Sequence, residues 1–309
     1  MKTLLVLLFV LCFQREALCD CQFPAELNGE WFSVENSIPL RLGISGSFWN
    51  EISGPKDSQA SYMTCKDIFI HPPRPGQDGT QGNNMTVLME YHNMKHMNEI
   101  DGTVNVCVDI LWRSINVVQY RKEYIVTFEG QYVSMFNICP SVTNAYKGEF
   151  NLPTTLETTT MYRWMSFPMK CSEIFQPGVY QIDYEKHWMK EVCRNSPCLL
   201  TACPTRREDK LVLSYAASDD NTKVLTFDCL GSWNATVNGR EYTYAALRSL
   251  DINGIEESYK CMMTNRNAKF PDGKERWVMS TDCNKLYNTV FASEKLTISK
   301  ASPGMKCEK

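Results

Sequence analysis

Two histidines four residues apart, in His92-Asn-Met-Lys-His96 with Glu90 and Glu99 close by, are the first arrangement in this 309-residue chain that suggests a metal site. On a helix such a pair shares a face and can hold an ion. The segment lacks the glutamate that a zinc peptidase carries directly after its first histidine, and it follows a strand-like run, so it reads as an exposed loop. Cys193-x4-Cys198-x4-Cys203 has spacing close to that of a zinc site, but an oxidising setting and the adjacent Pro197 and Pro204 favour a stapled loop. Asp219-Asp220 sits in an Ala-Ser-Asp-Asp-Asn turn without the alternating oxygen ligands of a calcium loop. The chain has no Gly-x-Ser-x-Gly elbow and no glycine-rich phosphate cradle ahead of a helix. The expectation is a protein without catalytic, metal or cofactor residues.

The elements that position side chains come next, and cysteine dominates them. The sequence holds 14 cysteines, 4 histidines and a formal net charge of −3. That charge argues against a nucleic-acid binder. Residues 1–19 read as a signal peptide. Lys2 precedes an unbroken apolar run from Leu4 to Phe13, and Ala17 and Cys19 are small residues at the −3 and −1 positions of the cut. The run is too short to span a bilayer, and no later segment reads as a membrane span. Cleavage removes Cys12 and Cys19 and leaves twelve cysteines, an even number that full pairing requires. Pairing leaves no free thiolate for catalysis. Asn84-Met-Thr86 and Asn234-Ala-Thr236 are glycosylation sequons in a secreted chain.

The cysteines fall into three groups of four: Cys21, Cys65, Cys107 and Cys139; Cys171, Cys193, Cys198 and Cys203; Cys229, Cys261, Cys283 and Cys307. Pairing within each group is the expectation. It gives a first β module over 20–139, a Thr-rich linker or long loop over 140–170, a short module over 171–210 and a third over 211–309. Three anchors mark strand starts, each an aromatic two residues after a glycine: Gly29 and Trp31, Gly178 and Tyr180, Gly231 and Trp233. Each follows a cysteine, and Ser61-Tyr-Met-Thr-Cys65 is similar to Ser258-Tyr-Lys-Cys261, which suggests a degenerate repeat. The large aromatic would anchor a core while the glycine lets backbone approach.

Most other segments read as strand. Met85 to Tyr91, Val179 to Tyr184, Leu211 to Tyr215, Val224 to Cys229, Tyr242 to Leu247, Tyr259 to Met263 and Arg276 to Ser280 are β-rich. Val117 to Tyr120, Tyr124 to Phe128 and Tyr132 to Phe136 look like a meander with turns at Arg121-Lys-Glu123 and Glu129-Gly-Gln131. Asn238-Gly239 and Asp272-Gly273 are among the turn signals. The fold class is therefore all-β, in two or three small disulfide-stapled antiparallel modules.

The opening motif, Cys21-x-Phe23-Pro24-x-x-Leu27-x-Gly29-x-Trp31, resembles the start of a family of secreted or ectodomain invertebrate proteins built from consecutive cysteine-rich domains of unknown function. The stretches from Cys171 to Tyr180 and from Phe227 to Cys261 are similar to later parts of the same proteins. The resemblance implies architecture and no chemistry. The Gly-x-Trp element also looks like the first strand of lipocalin-type barrels, which implies an interior that holds a small apolar ligand. Two functions follow as expectations. One is a non-enzymatic secreted glycoprotein that binds an extracellular protein or matrix partner, such as a shell or cuticle component. The alternative is a lipocalin-like carrier of a small apolar ligand.

Overall fold

The computed structural model describes residues 21–35, 38–53, 59–72, 83–92, 103–128, 131, 133–147, 153–154, 157–171, 178–186, 198–204, 209–216, 222–250, 258–265, 275–287 and 294–298. The all-β expectation holds. Eight strands form the first sheet: β1 (Gly29–Glu35), β2 (Ile38–Ser45), β3 (Phe48–Ser53), β4 (Gln59–Ile70), β5 (Met85–His92), β6 (Thr103–Ser114), β7 (Val117–Thr127) and β8 (Thr159–Arg163). Each pairs antiparallel with the next, and β8 returns to β1, placing Trp31, Phe32 and Ser33 opposite Arg163, Tyr162 and Met161. The sheet is thus a closed barrel. A second closed barrel follows: β9 (Gly178–Lys186), β10 (Cys198–Pro204), β11 (Asp209–Ala216), β12 (Thr222–Val237), β13 (Arg240–Ser249), β14 (Tyr259–Thr264), β15 (Glu275–Ser280) and β16 (Glu294–Ile298). Closure removes the free strand edges that invite aggregation. Asn238 and Gly239, at φ 49° and 74°, form the tight turn between β12 and β13, where only residues that tolerate positive φ fit.

Side-chain alternation fills each barrel. In the first, Trp31, Leu42, Ile44, Trp49, Met63, Val87, Met89, Val106, Val108, Ile110, Val118 and Tyr120 belong to one buried cluster inside the ring. In the second, Ile182, Tyr184, Leu200, Leu213, Phe227, Leu247, Met262, Trp277 and Met279 play that part. Eight strands leave an interior that side chains can fill. Two short helices, α1 (Met135–Ile138) and α2 (Pro140–Tyr146), follow β7. They pack Met135, Cys139 and Val142 on the outer face of the first barrel against Leu88 and Cys107.

The barrels share one cross-linking plan. Cys21 precedes the first strand of its barrel and bridges to Cys65 in the fourth; Cys171 and Cys229 repeat this arrangement. Cys107 in the sixth strand bridges to Cys139 in the helical segment after the seventh. Cys261 repeats it with Cys283, which opens the 3-10 segment Cys283–Tyr287. In both fourth strands a bulge follows the cysteine, between Cys65 and Asp67 and between Cys229 and Gly231.

These findings revise the organisation expected from sequence. The bridge from Cys171 to Cys229 joins the second and third cysteine groups, so pairing is not confined within groups. Strands from 171–210 and 211–309 alternate around one ring, with β9 paired to both β10 and β16, so those spans are one unit rather than two modules. The repeat is twofold rather than threefold. Residues 140–170 are not a simple linker either, because they contain α2 and the closing strand β8. Cys198 is disulfide-bonded and lies on β10, as does Cys203. Cys193, Cys307 and the signal segment lie outside the described residues.

Bulge geometry explains the misread anchor. Gly29 and Gly178 do open the first strand of their barrels. Trp31 sits inside, its indole N–H donating to the Leu27 carbonyl at 2.9 Å, with the Arg163 guanidinium 4.5 Å over its ring. Tyr180 packs against the second interior. Gly231 and Trp233 are in the fourth strand instead. There the bulge shifts the alternation by one residue, so Cys229 faces inward while Leu230 and Trp233 face the first barrel.

Candidate functional site

The first barrel has a shut end and an open end. At the shut end Phe23, Leu27, Trp31 and Trp49 pack together, with Phe23 and Trp49 rings 6.1 Å apart. Arg163 donates to the Ile115 and Asn28 carbonyls at 3.1 Å and also to the Glu26 carbonyl, lacing the 3-10 turn Ala25–Leu27 across the barrel base. Toward the other end burial fades along the inward-facing positions. On β7, Val118 and Tyr120 are buried, but Tyr124 is 53% exposed and Val126 50%. On β2, Ile44, Leu42 and Leu40 are buried while Ile38 is 52% exposed. Ile125, on the opposite face of β7, packs under the helices, which confirms that Tyr124 and Val126 face inward.

A charged cluster forms the floor of this shallow cup. The Lys122 side chain is only 4% exposed and the Glu51 side chain 9%; Glu35, nearer the rim, is 34% exposed. Lys122 Nζ donates to Glu35 Oε2 at 3.0 Å and to Glu51 Oε1 and Oε2 at 2.9 and 3.0 Å. The Trp49 indole N–H donates to Glu51 Oε1 at 2.8 Å. Register explains the need for this clamp. Pairing of β7 with β8 ends at Tyr120 opposite Thr159, so at the next inward level Lys122 ties β7 directly to β1 and β3.

Tyr120 lies one inward step below Lys122, and its buried hydroxyl has no hydrogen-bond partner among the described residues. Burial, reinforced by Glu35 and Glu51 and opposed by Lys122 and by the neighbouring Ser33 hydroxyl, pushes its pKa up. Burial alone would lower the Lys122 pKa, but the Tyr120 hydroxyl and the two carboxylates outweigh it and hold that pKa above the ordinary value. Tyr124 is also shifted up, by burial first and then by Glu51, Glu35 and Tyr91, which sets its hydroxyl in the field of the cluster. Tyr91 and Tyr124 stand edge to face, with centroids 5.9 Å apart, as the aromatic wall.

A second polar network lies on the outer face, under α2. Thr86 Oγ1 and Ser141 Oγ donate to the two oxygens of Asp109 at 2.7 and 2.8 Å, and Arg121 joins at 2.8 Å. His71 Nε2 is 2.7 Å from Thr86 Oγ1. Because the Thr86 proton goes to Asp109, His71 Nε2 must carry a hydrogen and donate it. Ser141 is held by Asp109 and Arg121, and the network fixes α2 to the barrel.

The sequence-derived candidates fall in varied places. His92 ends β5, stacks on Tyr62 and lies 3.0 Å from Thr64 Oγ1, while His96 is outside the described residues. Asn84 and Asn234 both use their side-chain carbonyl as an acceptor, from the Trp112 amide and the Thr243 hydroxyl. No cluster of metal-ligating residues occurs among the described residues. Sequence reasoning missed Lys122, Glu35 and Glu51. The signal available was the alternation Val118, Tyr120, Lys122, Tyr124, which places a lysine in an inward row.

The barrels meet on the outer faces of β1, β7 and β8. Phe32, Val34, Val117 and Tyr162 pack with Leu230, Trp233, Tyr244, Tyr259 and Met263 in one buried cluster. Tyr259 stacks on both Phe32 and Tyr162, each at 5.2 Å. Ser114 Oγ donates to the Leu230 carbonyl at 2.9 Å, and Tyr162 Oη to the Thr281 carbonyl at 3.1 Å. A Cβ placed on Gly231 would lie 2.6 Å from Ser114 Oγ, so only glycine allows this approach.

No helix among the described residues is long and apolar enough to cross a membrane. The four described bridges are of the kind typical of extracellular proteins. No curated protein and no solved structure matches the chain. Residues 168–300, which contain the whole second barrel, match a family described as a domain of unknown function (DUF7042).

Proposed function

We propose that this is a secreted, non-enzymatic glycoprotein that binds a small ligand in the cup of its first barrel, with the second barrel as a docked structural partner. The observation that carries the reading is the gradient from burial to exposure along inward-facing positions, ending over the Lys122 cluster. Filled interiors shift the expected seat. An apolar ligand sealed deep in the barrel would compete with Trp31, Trp49, Met63 and Met89, all buried there. A ligand at the mouth displaces none of them. No particular feature of the described residues favours a shell or cuticle role over this one. Secretion rests on the apolar leader and the bridges, and N-glycans at Asn84 and Asn234 are part of the proposal.

The test is calorimetric titration of the secreted, glycosylated protein with three phenyl probes that differ in their polar group: 2-phenylethylamine, 2-phenylethanol and 3-phenylpropionate. Saturable one-site binding of at least one probe, weakened by Tyr124→Ala, is expected. Absence of saturable binding by all three overturns the reading.

A further inference from the structure

Resting on the cup as the binding site, we infer that its ligand is a small organic cation, with an ammonium seated on Glu35 beside the ring of Tyr124. Donor and acceptor capacity decides the sign. An ammonium has three donors, and Lys122 makes three contacts, to Glu35 Oε2, Glu51 Oε1 and Glu51 Oε2. It has no donor left for an incoming anion. Glu51 is occupied on both oxygens, by Lys122 and by Trp49. Glu35 uses only Oε2; its other oxygen has no partner among the described residues, and its side chain is 34% exposed.

Formal charge points the same way. Two carboxylates and one ammonium leave one surplus negative charge at the base of a cup walled by protein, where the field of a charge is less screened than in water. The half-exposed Tyr124 and its edge-to-face neighbour Tyr91 supply ring faces beside that charge. Carboxylate plus aromatic face is the combination that holds an ammonium. A second observation, independent of the acidic pair, also points to a ligand. The Tyr120 hydroxyl, buried one step below Lys122 with Ser33 beside it, makes no hydrogen bond of good geometry among the described residues, so it can take a water that enters beneath the ligand.

The three probes share a phenyl group and differ in charge, which separates this inference from the reading it rests on. At neutral pH and low salt, 2-phenylethylamine is expected to bind about tenfold more tightly than 2-phenylethanol, and 3-phenylpropionate more weakly than either. Glu35→Gln should shrink the amine-to-alcohol ratio to within about twofold, because it removes the surplus charge. Raising the ionic strength of the unmodified protein gives a readout that does not depend on that variant folding: amine affinity should fall while alcohol affinity stays. If the alcohol or the propionate binds as tightly as the amine, in a manner weakened by Tyr124→Ala, the cup is a binding site but the cation assignment is wrong. If no probe binds, both statements fall.

Discussion

At the scale of single residues the two barrels depend on groups whose ionisation is held in place by burial. The pKa values of Tyr120, Tyr162 and Tyr244 are pushed above the ordinary phenol value by burial, and that of Lys122 is raised by its acidic neighbours despite burial. A pKa raised in the folded state means that folding holds the proton more tightly. The stability these groups contribute is whole below about pH 10, where the unfolded groups still keep their protons, and is lost as pH climbs past that value. The prediction is a sharp loss of stability above about pH 10. Phenolate absorbance from the buried three should then rise together with unfolding. Smooth titration of all tyrosines near pH 10 with circular dichroism unchanged would contradict the burial of these hydroxyls. The cluster was hard to read in sequence for a related reason. Arg121-Lys122-Glu123 looks like a polar turn, yet all three lie within β7. Arg121 faces outward to Asp109 and Lys122 inward to Glu51. A charged triplet can occupy a strand when each charge meets a counter-charge on its own side, and one sequence does not display those partners.

At the scale of elements, strands were the most legible feature because alternation and turn chemistry are local. Asn238-Gly239 marks a turn that the structure uses, and Met85 to Tyr91 lies within β5. Ring closure was not legible, since pairing of β1 with β8 joins residues about 130 positions apart and no local signal specifies it. Bulges misled most. One extra residue after Cys229 turns Trp233 from the barrel interior to the interface, so Gly231 and Trp233 imitated a first strand while lying in a fourth. The disulfide plan carries the correction and makes a prediction. Peptide mapping of the unreduced protein should recover Cys171 linked to Cys229 and Cys261 linked to Cys283, alongside Cys21 with Cys65 and Cys107 with Cys139. Recovery of Cys171 linked within 193–203 would contradict the second barrel as described.

At the scale of the whole molecule, two barrels built on one plan differ in what they do with it. Each ties a segment ahead of its first strand to its fourth, and its sixth strand to a helical segment, and the first places a buried Lys122–Glu51 pair below its mouth. They are docked through an aromatic stack and a glycine without room for a methyl group. Gly231→Ala should therefore cost about 1–3 kcal/mol by overpacking. It should also split a single thermal transition into two, and an unchanged melting profile would show that the barrels do not depend on this contact. The most direct measurement of the central claim is hydroxyl-radical footprinting across the chain, with and without the tightest of the three phenyl probes. The cup as binding site predicts protection confined to Ile38, Tyr124 and Val126. The exposed Ile115, Met165 and Phe167, near the shut end, should be labelled equally in both samples. Protection at those residues, or at the second barrel, with Tyr124 unchanged would contradict it.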